Sequence, residues 1–445
     1  MPKTAVIALT ISTWILGWEV AQAANPSLGS SFQEWCLNKT RLSAEARKTV
    51  EVLLEIAGTS DCKQANENLS SRTELDLKVN QITDISPLSG LTNLTELSLD
   101  NNQIIDVTPL SGLANLTELN LYNNQITEVS LSGLTNLTEL YLSNNQITEV
   151  NLSGLTNLRR LYLSTNQIID ISPLSGLTNL TELDLKYNQI KDVSPLSGLT
   201  NLTGLYLSSN QIKDISPLSG LTNLTLLYLS DNKIKDISPL SGLINLTGLD
   251  LGSNKIKDIS PLSGLTNLTW FSLDNNQITE VSLSGLTNLT ELYLRNNQIT
   301  DVSSLSELTN LTRLVLNNNQ ITDVSPLSGL TNLTVLNLSN NQITDVSLSG
   351  LTNLTVLNLS NNQITDVSPL SGLTNLTGLN LISNQITDVS VLSGLTNLTM
   401  LYLNNNQIKD VSSLSGLTNL RRLYLGDNPI PQQTCPVSPP DVCEF

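Results

Sequence analysis

The segment Leu94-Thr95-Glu96-Leu97-Ser98-Leu99-Asp100-Asn101-Asn102-Gln103-Ile104 decides the fold. Leu97 and Leu99 alternate with period two, so they point one way while Glu96, Ser98 and Asp100 point the other, and the unit holds one short strand. The asparagine that follows returns from Asn80 to Asn428, through positions such as Asn124, Asn232 and Asn341. Twelve of the sixteen steps are 22 residues and four are 21. A fixed period of this length, with leucines at constant offsets, marks a stacked one-dimensional solenoid.

Seventeen strands laid side by side give a parallel sheet. Leu97, Leu99, Ile104, Val107, Leu110, Leu113 and Leu116 of each coil then form continuous apolar columns. Each asparagine falls where the chain leaves the strand and backbone groups lose their sheet partners. Its side-chain amide donates and accepts, so a column of asparagines can satisfy neighbouring coils. Beyond it, Ile212 to Leu221 places Ser216 as a helix N-cap and Pro217 at the first helical position, which predicts one tight 3₁₀ turn on the outer face. The four short steps all lose the proline slot, as at Val129-Ser130-Leu131, Val150-Asn151-Leu152, Val281-Ser282-Leu283 and Val346-Ser347-Leu348. Deletion is therefore confined to the outer side.

The pattern Leu-x-x-Leu-x-Leu-x-x-Asn-x-Ile-x-Asp-Ile-Ser-Pro-Leu resembles the leucine-rich repeats of bacterial internalins and of a phosphatase-regulating intracellular subclass. It runs through residues 69–430, as 17 units. The expected fold is an α/β solenoid: a leucine-rich-repeat arc with a parallel concave β-sheet, short 3₁₀ turns on the convex side and disulfide-closed caps. The fold alone hosts many unrelated partners.

Residues 1–23 read as a secretory signal peptide, with Lys3, an apolar run from Ala5 to Trp18 and the small-x-small site Ala21-Gln22-Ala23. Residues 24–68 read as an N-terminal helical cap, its helix spanning Ser43 to Gly58 with Ala46, Val50, Leu53, Leu54 and Ala57 on one face. Residues 431–445 read as a C-terminal cap, because Pro429, Pro431, Pro436, Pro439 and Pro440 prevent another coil. Cys36 and Cys62 precede the repeats, and Cys435 and Cys443 follow them. Four cysteines allow three pairings. Seventeen strands separate the ends by roughly 80 Å, so only Cys36 with Cys62 and Cys435 with Cys443 can meet. Such pairs point to an oxidising compartment.

A net charge of -17 disfavours nucleic acid as a partner. Much of this acidity is one column, four residues after each asparagine, including Asp84, Asp170, Asp214, Asp323 and Asp410. These carboxylates are expected to accept N–H groups of the outer turn; a calcium ladder is the alternative. Lys191, Lys213, Lys233, Lys235, Lys255 and Lys257 crowd beside them, as charge compensation or as a strip for an anionic polymer. The chain has no histidine, which excludes Ser-His-Asp and Cys-His catalysis and histidine metal sites. No catalytic residue, metal site or cofactor is expected. Asn-Leu-Thr triplets such as Asn93 to Thr95 and Asn201 to Thr203 read as packing where the chain enters each strand rather than as glycosylation sites.

The concave face departs from monotony. Tyr141, Tyr162, Tyr206, Tyr228, Tyr293, Tyr402 and Tyr424 share the position between the two strand leucines, Trp270 flanks them, and Tyr122 and Tyr187 lie at strand ends. Large amphipathic rings along a curved sheet suit recognition; ring stacking that merely stabilises the sheet is the alternative. One column aside, charge is graded from Glu74, Glu96, Glu118, Glu139 and Glu182, through Gly204, Leu226, Gly248 and Trp270, to Arg313, Val335, Val356, Met400 and Arg422. These features predict a secreted, periplasmic or cell-surface protein, monomeric and not inserted in a membrane after signal removal, that binds a protein or glycan ligand. An intracellular phosphatase-type regulatory subunit and a passive envelope structural protein remain the other readings.

Overall fold

A computed structural model describes residues 31–445; the expected signal peptide lies outside the described residues. The sequence period becomes an open arc whose concave wall is an eighteen-stranded parallel sheet. Seventeen three-residue strands come from the repeats, beginning with Glu74–Asp76 and ending with Arg422–Tyr424. Each pairs in parallel with the strand of the next coil, so Leu75 lies beside Leu97 and Leu97 beside Leu119. The leucine and isoleucine columns behind the sheet form one continuous buried core.

The asparagine column makes the bonds its chemistry allows. Asn232 donates Nδ2–H to the Leu207 carbonyl of the preceding coil at 3.0 Å and to the Leu229 carbonyl of its own at 3.1 Å. Its Oδ1 accepts the Ile212 N–H, again from the preceding coil, at 2.9 Å. The same set recurs from Asn102 to Asn428. A second ladder forms where the chain enters the strand, as Asn201 donates Nδ2–H to the Thr178 carbonyl at 2.9 Å and the Thr203 hydroxyl donates to the Thr181 carbonyl at 3.0 Å.

On the convex side every 22-residue coil carries a 3₁₀ turn, such as Ser216–Leu218. Ser216 is not its cap. The turn starts after Ile215, without a side-chain cap, and the Asp214 carboxylate accepts the Ser216 N–H at 2.8 Å. The carboxylate column thus holds the outer turns, as expected, and the bonded N–H keeps the Asp214 carboxyl below its ordinary value. Among the described residues no group of three or more candidate ligands could hold a metal ion.

The four short coils lack the 3₁₀ turn. Two adjacent ones instead run extended, and Glu128–Ser130 pairs with Glu149–Asn151 as a separate two-stranded parallel sheet. Losing a residue also draws each short coil's glycine onto its neighbour. A Cβ added at Gly350 would sit 2.5 Å from the Ser328 carbonyl oxygen, and one at Gly285 2.9 Å from that of Ser263; at Gly264, in a full-length coil, it would meet nothing within 4 Å.

Three helices cover the first coil: α1 (Phe32–Leu37), α2 (Ala44–Ala57) and α3 (Cys62–Ser70). The sequence suggested only the second. Ser43 caps α2 by accepting the Ala46 N–H at 3.1 Å, and Gly58 ends it at φ 68°. Cys36 and Cys62 tie α1 to α3, with Cα atoms 5.5 Å apart. Cys435 and Cys443 are likewise bonded, and Cys443–Glu444 adds the eighteenth strand beside Leu423 and Tyr424. The tail therefore covers the last sheet edge as well as the core. No helix among the described residues is long and apolar enough to cross a membrane.

Two stability predictions follow from the coil contacts. Asn232→Ala orphans buried groups on two coils and should lower the unfolding free energy by about 2–4 kcal/mol, whereas Asn80→Ala, whose Nδ2 reaches only the Lys78 carbonyl, should cost less; chemical denaturation compares them. Gly350→Ala should lower Tm and Gly264→Ala should not, as calorimetry would show; equal effects would deny the close approach in short coils.

Candidate ligand-binding surface

The first and third residues of each strand and the residue after the second strand leucine present three columns to the groove. The central one carries the tyrosines, and strand register puts Tyr141 beside Tyr162, Tyr206 beside Tyr228 and Tyr402 beside Tyr424. Neighbouring rings stack. Tyr141 and Tyr162 have centroids 4.9 Å apart with 5° between planes, and Tyr402 and Tyr424 4.8 Å with 5°. In the middle, Tyr206, Tyr228, Trp270 and Tyr293 form a chain of contacts at 5.2, 5.7 and 6.1 Å. The eight predicted residues therefore gather into two pairs and one tetrad, all half-buried. Tyr122 and Tyr187 lie past the strand ends, 44% and 60% exposed and outside these stacks; Tyr187 holds a positive φ of 55°.

Tyr141, Tyr206, Tyr293, Tyr402 and Tyr424 lean back toward the start of their own strands. The Tyr141 hydroxyl donates to Glu139 at 2.7 Å and that of Tyr293 to Glu291 at 2.6 Å, while the Tyr424 hydroxyl accepts from Arg422 at 3.0 Å. This lean explains Gly204 in the flanking column, and Leu226 explains Gly248. A Cβ at Gly204 would lie 3.3 Å from the Tyr206 ring, and one at Gly248 would lie 2.8 Å from Leu226 Cδ2 and 3.9 Å from Trp270. Trp270 reaches back across the Gly248 coil to Tyr228, which needs that gap. On the other side of the tetrad, Lys186 Nζ stands 5.1 Å from the Tyr206 ring centroid.

The expected charge gradient is interrupted. Arg160 stands between Glu139 and Glu182 in the flanking column, and Glu291 between Trp270 and Arg313. Arg160 pairs with Glu139 at 2.8 Å. A third column, after the second strand leucine, carries groups the sequence reading passed over: Asp274 pairs with Arg295 at 2.9 Å, and Lys186 with Asp184 of its own strand at 3.5 Å. Burial raises the Asp274 carboxyl in spite of Arg295. Glu118 is raised by burial and then by Glu139 and Glu96, which flank it in register.

Burial is also the largest cause raising Tyr141, Tyr162, Tyr206 and Tyr293. Tyr162 is pushed up to about 12, with Glu182 adding to burial, and Tyr293 to about 12, with Glu291 adding to it. Tyr141 is raised further. Folded values above the ordinary 10.0 mean that stability present below pH 10.0 is lost as pH rises through them. Ultraviolet titration should show a phenol fraction still protonated at about pH 11 that ionises at once on denaturation. Coincident titration of native and denatured protein would contradict the packing of these rings.

Comparison with known proteins agrees with this architecture. The family described as leucine-rich repeats (2 copies) matches eleven windows that together span most of the chain, from residues 73–114 to residues 396–436. The chain belongs to the leucine-rich-repeat family. It is similar to the internalin InlF of Listeria monocytogenes, at 35% identity and a TM-score of 0.58, over 79% of this chain and 94% of that one. A leucine-rich-repeat protein of Leptospira interrogans is 28% identical with a TM-score of 0.69, over 85% of this chain and 96% of that one. The ectodomain of the Arabidopsis thaliana receptor kinase GASSHO1, solved in complex with Casparian strip integrity factor 2, is 27% identical with a TM-score of 0.72, over 82% of this chain and 48% of that one. No curated protein matches.

Proposed function

We propose that the chain is an extracellular, non-catalytic binding protein that grips a protein partner along its concave sheet, acting as a monomer without cofactor or metal. The tetrad of Tyr206, Tyr228, Trp270 and Tyr293 carries this reading. Its rings are half-exposed, and no helix packs extensively on the strands that bear them. Such rings supply contact area with little side-chain freedom to lose.

Two further facts support it. Paired cysteines at both ends suit an oxidising compartment and oppose the intracellular regulatory reading. Among structural neighbours, an internalin and a receptor ectodomain bound to a protein factor share the scaffold. A glycan partner gains less support, because a sugar stacks on a free ring face and Tyr228 has Tyr206 on one side and Trp270 on the other.

Affinity capture of extracellular proteins with the wild type and with a Tyr206→Ser, Tyr228→Ser and Tyr293→Ser triple variant tests the assignment. Partners should be lost from the triple variant and kept by Lys235→Ala on the convex flank. Removing stacked rings should cost about 0.5–1.5 kcal/mol per pair, so the melting curve checks that the fold persists. A partner retained by the triple variant would move the site elsewhere.

A further inference from the structure

Five of the groove's cations are already paired with carboxylates, and Arg422 donates to the Tyr424 hydroxyl. Lys78 pairs with Asp76 at 2.8 Å, Arg160 with Glu139 at 2.8 Å, Lys186 with Asp184 at 3.5 Å, Arg295 with Asp274 at 2.9 Å and Arg313 with Glu291 at 4.0 Å. Several groove carboxylates are left over: among the described residues, Glu74, Glu96, Asp100, Glu118, Glu182 and Asp250 have no cation within ion-pair distance. Glu74, Glu96, Glu118 and Glu139 stand in register on successive strands, so like charges repeat at about 4.8 Å. Glu139, at the end of this stack, has Arg160; Glu74, Glu96 and Glu118 have no paired cation among the described residues.

The surplus runs into the aromatic tetrad. Lys186 beside the Tyr206 ring shows that these rings accept a cation. Gly204 and Gly248, on either side of Leu226, are covered by the Tyr206 ring and by Leu226, so rings and leucine form one continuous apolar surface.

We propose that the partner enters the groove as a basic, extended polypeptide segment. Its arginine and lysine side chains lie over the carboxylates of the first coils, and an apolar side chain packs on the half-buried surface of Leu226 and Trp270. Charge complementarity selects this occupant over an acidic or neutral one. Arginine suits it best, since a guanidinium both forks onto carboxylates and stacks on rings. Nine strand spacings separate Glu74 from Trp270, about 43 Å, which an extended segment of about thirteen residues spans. The inference rests on the groove reading above and adds the sign of the partner's charge.

The test uses the full chain and a labelled peptide of about fourteen residues, alternating arginine and serine and ending in leucine, tryptophan and leucine, against the same peptide with glutamate for arginine. Fluorescence anisotropy is read at low and high salt. The arginine peptide should bind, weaken with salt, and lose affinity by about tenfold or more in a Glu96→Gln, Glu118→Gln and Glu182→Gln variant. An Asp366→Asn, Asp388→Asn and Asp410→Asn variant of the convex column should bind as the wild type does. Equal binding of the glutamate peptide, an unaffected glutamine variant, or an equal loss in the convex variant overturns the proposal. If a Tyr228→Ser and Trp270→Ser variant still loses binding of either peptide, the groove reading survives and only the cationic partner is rejected. If neither concave variant changes anything, both fall.

Discussion

An amide that bonds to two coils at once is what the rest of the structure depends on. Asn232 bridges Leu207, Ile212 and Leu229, joining the end of its own strand to the preceding turn. A strand of three residues has too few ladder bonds to hold register alone, and no unit buries its leucines without a neighbour. Strand, asparagine and core leucine must therefore keep their places in every coil. All freedom in length is displaced to the convex side, where a missing residue removes the 3₁₀ turn and, in two adjacent coils, leaves an extended segment in its place. Even there the freedom is bounded by Gly133, Gly285 and Gly350, whose neighbours leave no room for a side chain.

Much of this was legible in the sequence because one unit contains it. Period, strand alternation, the amide column, the carboxylates over the outer turns and the tethering of each end by its own cysteine pair all follow from local pattern or from length. Features that depend on the distance between coils were not. The residue before each ladder asparagine holds φ between 52° and 60°, a left-handed conformation in which asparagine is among the least strained side chains. The repeated Asn-Asn doublet, as at Asn101-Asn102 and Asn296-Asn297, was the signal and passed unread. The first of each doublet also stacks, Asn123 donating to Asn101 at 2.8 Å. The convex strand pair required two short coils in succession, and the eighteenth strand came from a proline-rich tail that carries no repeat pattern.

The candidate site was legible as a set of residues and not as an arrangement. Seven tyrosines in one slot showed a row, but the division into two pairs and a tetrad depends on which coils carry aspartate or serine instead, as at Asp184, Asp250 and Ser272. The lean of rings toward the flanking column depends on what stands there. Glutamate at Glu139 and Glu291 takes the hydroxyl, and glycine at Gly204 takes the ring body. Arg160 and Glu291 broke a gradient that had been drawn from the other members of their column.

On the proposed function, stacking and recognition are one device. Rings that touch their neighbours stay ordered without ligand, so little entropy remains to be lost when a partner arrives. The same stacking covers inner ring faces and leaves edges, hydroxyls and the ends of each stack in the groove, a surface better matched to side chains than to sugar faces. A sheet built from one repeated unit would present one repeated surface. Here the departures from the repeat fall on the concave columns, where the core places no demand, and the carboxylates without cations fall mostly in the coils before the tetrad. On the reading proposed above, a segment that satisfies both must carry its charge and its apolar group in a fixed order, and that order would distinguish one partner from another on a monotonous scaffold.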